Sequence, residues 1–238
     1  MICAYFIFAV LALPSTAAEF TDSFDEFVAE NPGLSQQRFN SQVIPALQFI
    51  NCDSPVNSQS NDQCFSPGFI NPGIAFLVNE SPGSALFALV GPDFSNGGNP
   101  PNVLVSSIDV SSFDIVFPAS KARAVGFEAG CLSDGTPCSS ELTVRVFGDG
   151  PNVIGETTIQ LSAQFDTFLG IEYTERIRRV SIITASQNVY QGVESVLFEL
   201  GPDVNPIPTL SEWGMMAAAA GIALIGVFYA LRRRKASA

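Results

Sequence analysis

The sequence predicts an all-β fold, an antiparallel β-sandwich of the jelly-roll type, and three observations carry the prediction. Short runs of Phe, Val, Ile and Thr recur between clusters of Gly, Pro, Asn, Asp and Ser, the rhythm of strands separated by turns. Where the alternation is clearest its period is two, with Leu142, Val144 and Val146 set against Thr143 and Arg145. No long 3.6-residue repeat runs through residues 19–205, and only residues 24–29 suggest a helical turn. With 238 residues, the chain has room for one such domain and two short appendages.

The first appendage, residues 1–18, reads as a secretory signal peptide. The chain is apolar from Met1 to Leu13, Pro14 ends the run, and Thr16 and Ala18 are small enough for the −3 and −1 positions of a signal peptidase site. Cleavage is expected after Ala18, with Ala17 as the alternative. The run is too short to anchor a chain in a bilayer.

The ectodomain, residues 19–205, begins with candidate strands at 47–50, 74–78 and 85–90. Denser ones follow at 112–117, 124–128, 141–147, 153–161, 165–173, 177–184 and 193–200. Gly148-Asp149-Gly150-Pro151-Asn152 and Asp134-Gly135 supply turn chemistry between them. Of five cysteines, Cys3 belongs to the signal peptide, which leaves Cys52, Cys64, Cys131 and Cys138. An even number suits an oxidising compartment. Three pairings are possible, and the local one, Cys52 with Cys64 and Cys131 with Cys138, closes two short polar loops. Spacings of twelve and seven do not match a redox pair or a zinc cluster.

The second appendage is tripartite. Residues 213–231 carry no charge, and Arg232, Arg233, Arg234 and Lys235 follow directly. A helix of that length rises about 28 Å, close to the thickness of a hydrocarbon core. The expectation is a single transmembrane helix with the basic tail, 232–238, in the cytoplasm and the ectodomain outside. Ahead of it, Pro206 and Pro208 hold the chain extended, as a protease substrate must be, and Trp213 sits where an interfacial aromatic belongs. This segment, 206–214, resembles the IPTL-CTERM sorting signal of bacterial proteins, with Ile207, Pro208, Thr209, Leu210, Trp213 and Gly214 at the signature positions. The resemblance implies that an exosortase-type membrane transpeptidase cuts near the segment and passes the ectodomain to a new acceptor.

From residue 111 onward the chain also resembles the jelly-roll ectodomains of bacterial proteins with such tails. The shared steps are residues 113–117, Val125-Gly126-Phe127, residues 142–148, Phe168-Leu169-Gly170-Ile171 and residues 193–198. Those relatives carry an acidic-Asp-Asn step in the last strand, and here Glu194-Ser195 stands in its place.

Composition narrows the function. Residues 19–212 hold all 23 acidic residues and seven basic ones, a balance of −16, so a nucleic acid partner is not expected. Only Arg176, Arg178 and Arg179 cluster, and they read as a solvated strand face. With no His in the chain there is no Ser-His-Asp or Cys-His machinery and no imidazole metal site. The lone acids at Asp93, Asp134 and Asp149 in turns, and at Glu128 and Glu172 on strands, read as solubility groups rather than a catalytic pair. Asp53, Asn57, Asn61 and Asp62 share one Cys-bounded loop and offer oxygen ligands for Ca²⁺, without EF-hand spacing; no other cofactor is expected. Residues 96–101, Asn-Gly-Gly-Asn-Pro-Pro, form a further candidate binding loop.

The reading is therefore a non-enzymatic, exported envelope or surface protein, structural or adhesive, acting in a surface layer or exopolysaccharide matrix. Its alternatives are a carbohydrate-binding surface module and, third, a polysaccharide hydrolase.

Overall fold

Fourteen strands and one helix occupy the residues described by the computed structural model, which are 17–78, 87–94, 99–100, 102–106, 112–118, 121–133, 138–184 and 189–201. In chain order they are β1 (Glu19–Thr21), α1 (Phe24–Glu30), β2 (Ser35–Arg38), β3 (Phe49–Cys52), β4 (Val56–Asn57), β5 (Ala75–Val78), β6 (Phe87–Val90) and β7 (Val103–Ser106). Then follow β8 (Ser112–Val116), β9 (Ala122–Leu132), β10 (Ser139–Phe147), β11 (Val153–Ser162), β12 (Thr167–Ile177), β13 (Arg179–Thr184) and β14 (Tyr190–Leu200).

The strands form two antiparallel sheets. One runs β1-β12-β9-β14-β7-β6-β3, with β2 also against β14; the other runs β11-β10-β13-β8-β5-β4. The partners are nested: β7 pairs with β14, β8 with β13, β9 with β12 and β10 with β11. Eight strands so paired are one long hairpin, first with last, wound so that successive pairs fall in opposite sheets. That is the jelly roll, and the all-β sandwich is confirmed by strand order itself.

Between the sheets lies one continuous core. Val125, Phe127, Leu169, Ile171, Val193, Val196 and Phe198 face Phe113, Ile115, Leu142, Val144, Val146, Val180 and Ile182. The alternation read in β10 is real, since Leu142, Val144 and Val146 are buried while Glu141 and Arg145 are exposed. Both expected disulfides are present, Cys52–Cys64 and Cys131–Cys138.

Four strands escape the sequence reading. β7 is buried at every position and so shows no alternation. β2 is Ser-Gln-Gln-Arg, strand-like only because Ser195 to Phe198 of β14 give its backbone a partner. β1 and β4 are three and two residues long, below what a pattern can report.

The helix anticipated at 24–29 is α1. Ser23 caps it, its Oγ accepting from the Glu26 amide at 3.3 Å, and Asp25 and Glu26 lie in the first turn, where the helix dipole favours acids. Its fully buried Phe27 packs with Ala124, Phe168 and Leu197 on the outer face of the first sheet. This cover buries Ala124 of β9 and Leu197 of β14 on the outer face, and Phe165 covers Gly130 and Leu132 further along.

Of the expected signal peptide only Ala17 and Ala18 are described, and Ala18 is 8% exposed in the core, donating its amide to the Ile154 carbonyl at 2.9 Å. The expected sorting segment, membrane span and basic tail lie outside the described residues. Among the described residues, no helix is long and apolar enough to cross a membrane.

Candidate functional site

One cleft, about 120 Å³, gathers polar groups from four separate elements: Glu19, Asn31, Arg123, Glu172, Tyr173 and Thr174, with Ala17 at its rim. Its opening has a local cause in the pairing of β12 with β9. Register runs regularly to Glu172 opposite Ala124, then jumps to Ile177 opposite Ala122. Residues 173–176 therefore stand against Arg123 alone, and the bulge lifts β12 off its neighbour where Tyr173 and Thr174 line the cleft. Irregularities of this kind re-aim side chains beside binding and active sites.

β1 and α1 complete the wall. Glu19 pairs in register with Glu172, placing two carboxylates across one ladder step. Asn31, the C-cap of α1, is only 9% exposed, and its Nδ2 donates to the Phe27 carbonyl at 2.9 Å and to Glu172 Oε1 at 2.5 Å. The amide is thereby fixed, and its Oδ1 has no protein partner among the described residues. Arg123 likewise makes no hydrogen bond or ion pair among the described residues, while its stem lies near Gly201. The cleft thus holds both acceptors, the carboxylates of Glu19 and Glu172 and the Asn31 Oδ1, and a guanidinium with five N–H donors.

A second, more open cleft is lined by Val116, Phe117, residues 147–150, Arg178 and Arg179. Here the arginines are not a bare solvated face. Arg179 stacks its guanidinium 3.9 Å from the centre of the Phe147 ring and reaches buried Asp114 at 3.4 Å. Arg178 donates to the Phe117 and Pro118 carbonyls at 3.3 and 2.7 Å and faces Asp149 at 3.4 Å. Asp149 also takes a hydrogen bond from Lys121, which, ahead of all other influences, holds its carboxyl below the usual carboxylate range. These cations fasten the β10–β11 turn to the ends of β8 and β13.

Two of the four candidate calcium ligands, Asp62 and Asn57, hydrogen-bond within the loop. Asp62 accepts from the Cys64 and Phe65 amides through Oδ1, at 2.8 and 2.9 Å, and from the Asp53 amide through Oδ2 at 2.8 Å. Asn57 Oδ1 accepts from the Gln59 amide at 2.8 Å. Among the described residues no group of three or more His, Cys, Asp or Glu is placed to hold a metal ion. Of the candidate loop 96–101, Asn99 and Pro100 are described, and Asn99 is buried at 2% exposure with its amide donating to the Gly91 and Pro100 carbonyls. Glu172, read as a solubility group, is instead a wall of the first cleft.

The end of the chain identifies itself by sequence. The family profile of the IPTL-CTERM motif matches residues 205–234, from just before Pro206 through the first three arginines of the basic cluster. Residues 205–234 are an IPTL-CTERM motif. All six signature residues, Ile207, Pro208, Thr209, Leu210, Trp213 and Gly214, fall inside it, as do Arg232, Arg233 and Arg234, while Lys235 follows one position beyond. An IPTL-CTERM motif together with two disulfides marks a surface protein.

No curated protein matches the chain. Among solved structures, a low-affinity xylan-binding module, CBM86, from Roseburia intestinalis is 15% identical, covering 65% of this chain and 95% of its own, at a TM-score of 0.27. The CBM32-1, CBM32-2 and M60 catalytic domains of Clostridium perfringens ZmpB align at 13% identity over 78% of this chain and 17% of theirs, at a TM-score of 0.31.

Proposed function

We propose that this is an exported structural or adhesive protein of a bacterial envelope, delivered by its IPTL-CTERM motif and processed there by an exosortase-type transpeptidase. The observation that carries the reading is the order of parts: an acidic, disulfide-bonded jelly roll followed at once by the motif, an uncharged stretch of helix-spanning length and a basic cluster. In this reading residues 213–231 cross the bilayer once, the arginines stay in the cytoplasm, and the sandwich stands outside. Cutting near Pro208 would separate the sandwich from its anchor. The acceptor that then holds it belongs to the envelope or its exopolysaccharide.

Replacing Pro208 and Trp213 by Ala tests this in cells that process the native chain. Fractionation and intact mass should show an uncleaved, membrane-retained form. Maturation identical to the native chain would refute the role given to the motif.

A second reading, glycan binding by the sandwich, is favoured by one observation, the Arg123 cleft with its mixed donors and acceptors from four elements. Retardation of the full chain in gels containing a neutral polysaccharide would support it.

A further inference from the structure

We infer that the Arg123 cleft is a binding subsite for a single neutral pyranose residue at the end of a glycan chain, an assignment that rests on the glycan-binding reading. Three properties of the cleft lead there. It is small and half-enclosed, about 120 Å³, the scale of one sugar ring rather than a stretch of polymer. Its polar groups are of both kinds and adjacent: the carboxylates of Glu19 and Glu172 and the fixed Oδ1 of Asn31 accept, while Arg123 donates. Its floor is held in place, because Asn31 is nine-tenths buried and bonded twice through Nδ2.

Charge selects the ligand class. With the signal peptide cut after Ala18, the α-ammonium of Glu19 joins Arg123, so two cations balance two carboxylates and neither an anionic nor a cationic sugar finds a site of opposite sign. Vicinal hydroxyls suit both halves, since each donates to a carboxylate and accepts from an N–H of the same wall. Tyr173 and Thr174, carried out of the ladder by the β12 bulge, also line the cleft. Such a contact is small, so affinity in the millimolar range is expected, and useful strength would come from many copies on one surface.

The second cleft does not share this character. Its arginines are engaged by Asp114, Asp149, the Phe147 ring and two carbonyls, so they are parts of the fold.

The experiment uses the full chain in mild detergent, with methyl β-D-xyloside, methyl α-D-mannoside, methyl β-D-galactoside and methyl β-D-glucuronide as probes in ligand-observed NMR. At least one neutral glycoside should bind saturably and the glucuronide should not. Arg123→Met keeps the stem against Gly201 and removes the donors; it should weaken binding about tenfold or more with the thermal midpoint unchanged. Tyr173→Phe, which preserves packing, should weaken it less. Retardation by a neutral polysaccharide that persists in Arg123→Met would overturn this site while leaving glycan binding standing. Absence of both glycoside binding and retardation would overturn site and reading together. Binding of the glucuronide alone, lost in Arg179→Gln, would overturn the assignment in favour of the second cleft.

Discussion

Two glycines and one phenylalanine decide how the outer face of the first sheet is closed. A Cβ on Gly170 would lie 2.6 Å from Phe27 Cδ2 and 2.7 Å from Thr21 Cγ2, and one on Gly126 would lie 2.7 Å from Phe27 Cε1 and 2.9 Å from Phe168 Cζ. The Phe27 ring therefore rests directly on the β9 and β12 backbones. Gly170→Ala should destabilise the fold by about 1–3 kcal/mol in chemical denaturation, as overpacking does, and Phe27→Leu in the same chain should recover part of the loss. The Val-Gly-Phe and Phe-Leu-Gly-Ile steps were legible as strand sequence, but nothing local tells that their glycines face a helix some hundred or more residues earlier in the chain.

Glu194 occupies a bulge of β14, between Val193 opposite Ala129 and Ser195 opposite Glu128. Burial first, and the nearby Glu128 second, push its carboxyl above the ordinary value, while Arg38 pulls the other way. A carboxyl raised on folding holds its proton more tightly in the folded chain, so its ionised form subtracts stability at neutral pH. That penalty fades as pH falls from the raised value toward the ordinary one. Glu194→Gln should therefore unfold at higher denaturant than the native chain at pH 7, and the gap should close as pH approaches about 4.

At the level of elements, alternation was clearest where one face is wet, as in β10, while longer runs of β-branched and aromatic residues marked β8, β9, β13 and β14. Those missed are short, like β1 and β4, have no wet face, like β7, or borrow their conformation from a neighbour, like β2. The Arg123 cleft was illegible for a related reason: Glu19, Asn31, Arg123 and Glu172 come from four segments, and only the nested pairing and the β12 bulge bring them together. The disulfides, by contrast, were legible because loop composition and Cys spacing are local. Cys131–Cys138 joins the end of β9 to the residue before β10 across seven residues, and Cys52–Cys64 closes twelve. Replacing Cys131 and Cys138 by Ser should cost about 2 kcal/mol, and replacing the other pair about 3, read from denaturation with and without reductant; equal stability in all forms would show the loops held by packing alone.

For the molecule as a whole, first-with-last pairing means that β14 is laid down last yet lies between β9 and β7 in the middle of a sheet. Folding must wait for the carboxyl end of the sandwich, as expected of a β fold dominated by distant contacts. The tail, in contrast, announces itself in about thirty contiguous residues, which is why the motif was readable from sequence and the cleft was not.

Arg123 also marks a meeting point. Ala17 borders the same cleft, and Gly201 donates its amide to the Lys121 carbonyl at 2.8 Å, with its α-carbon close against the Arg123 stem. Entry and exit of the sandwich are thus neighbours, and β9 runs from that corner for eleven residues, about 35 Å, to the Cys131–Cys138 clasp. Whatever is spliced onto either terminus shares a single doorway, at the end of β9 opposite that clasp.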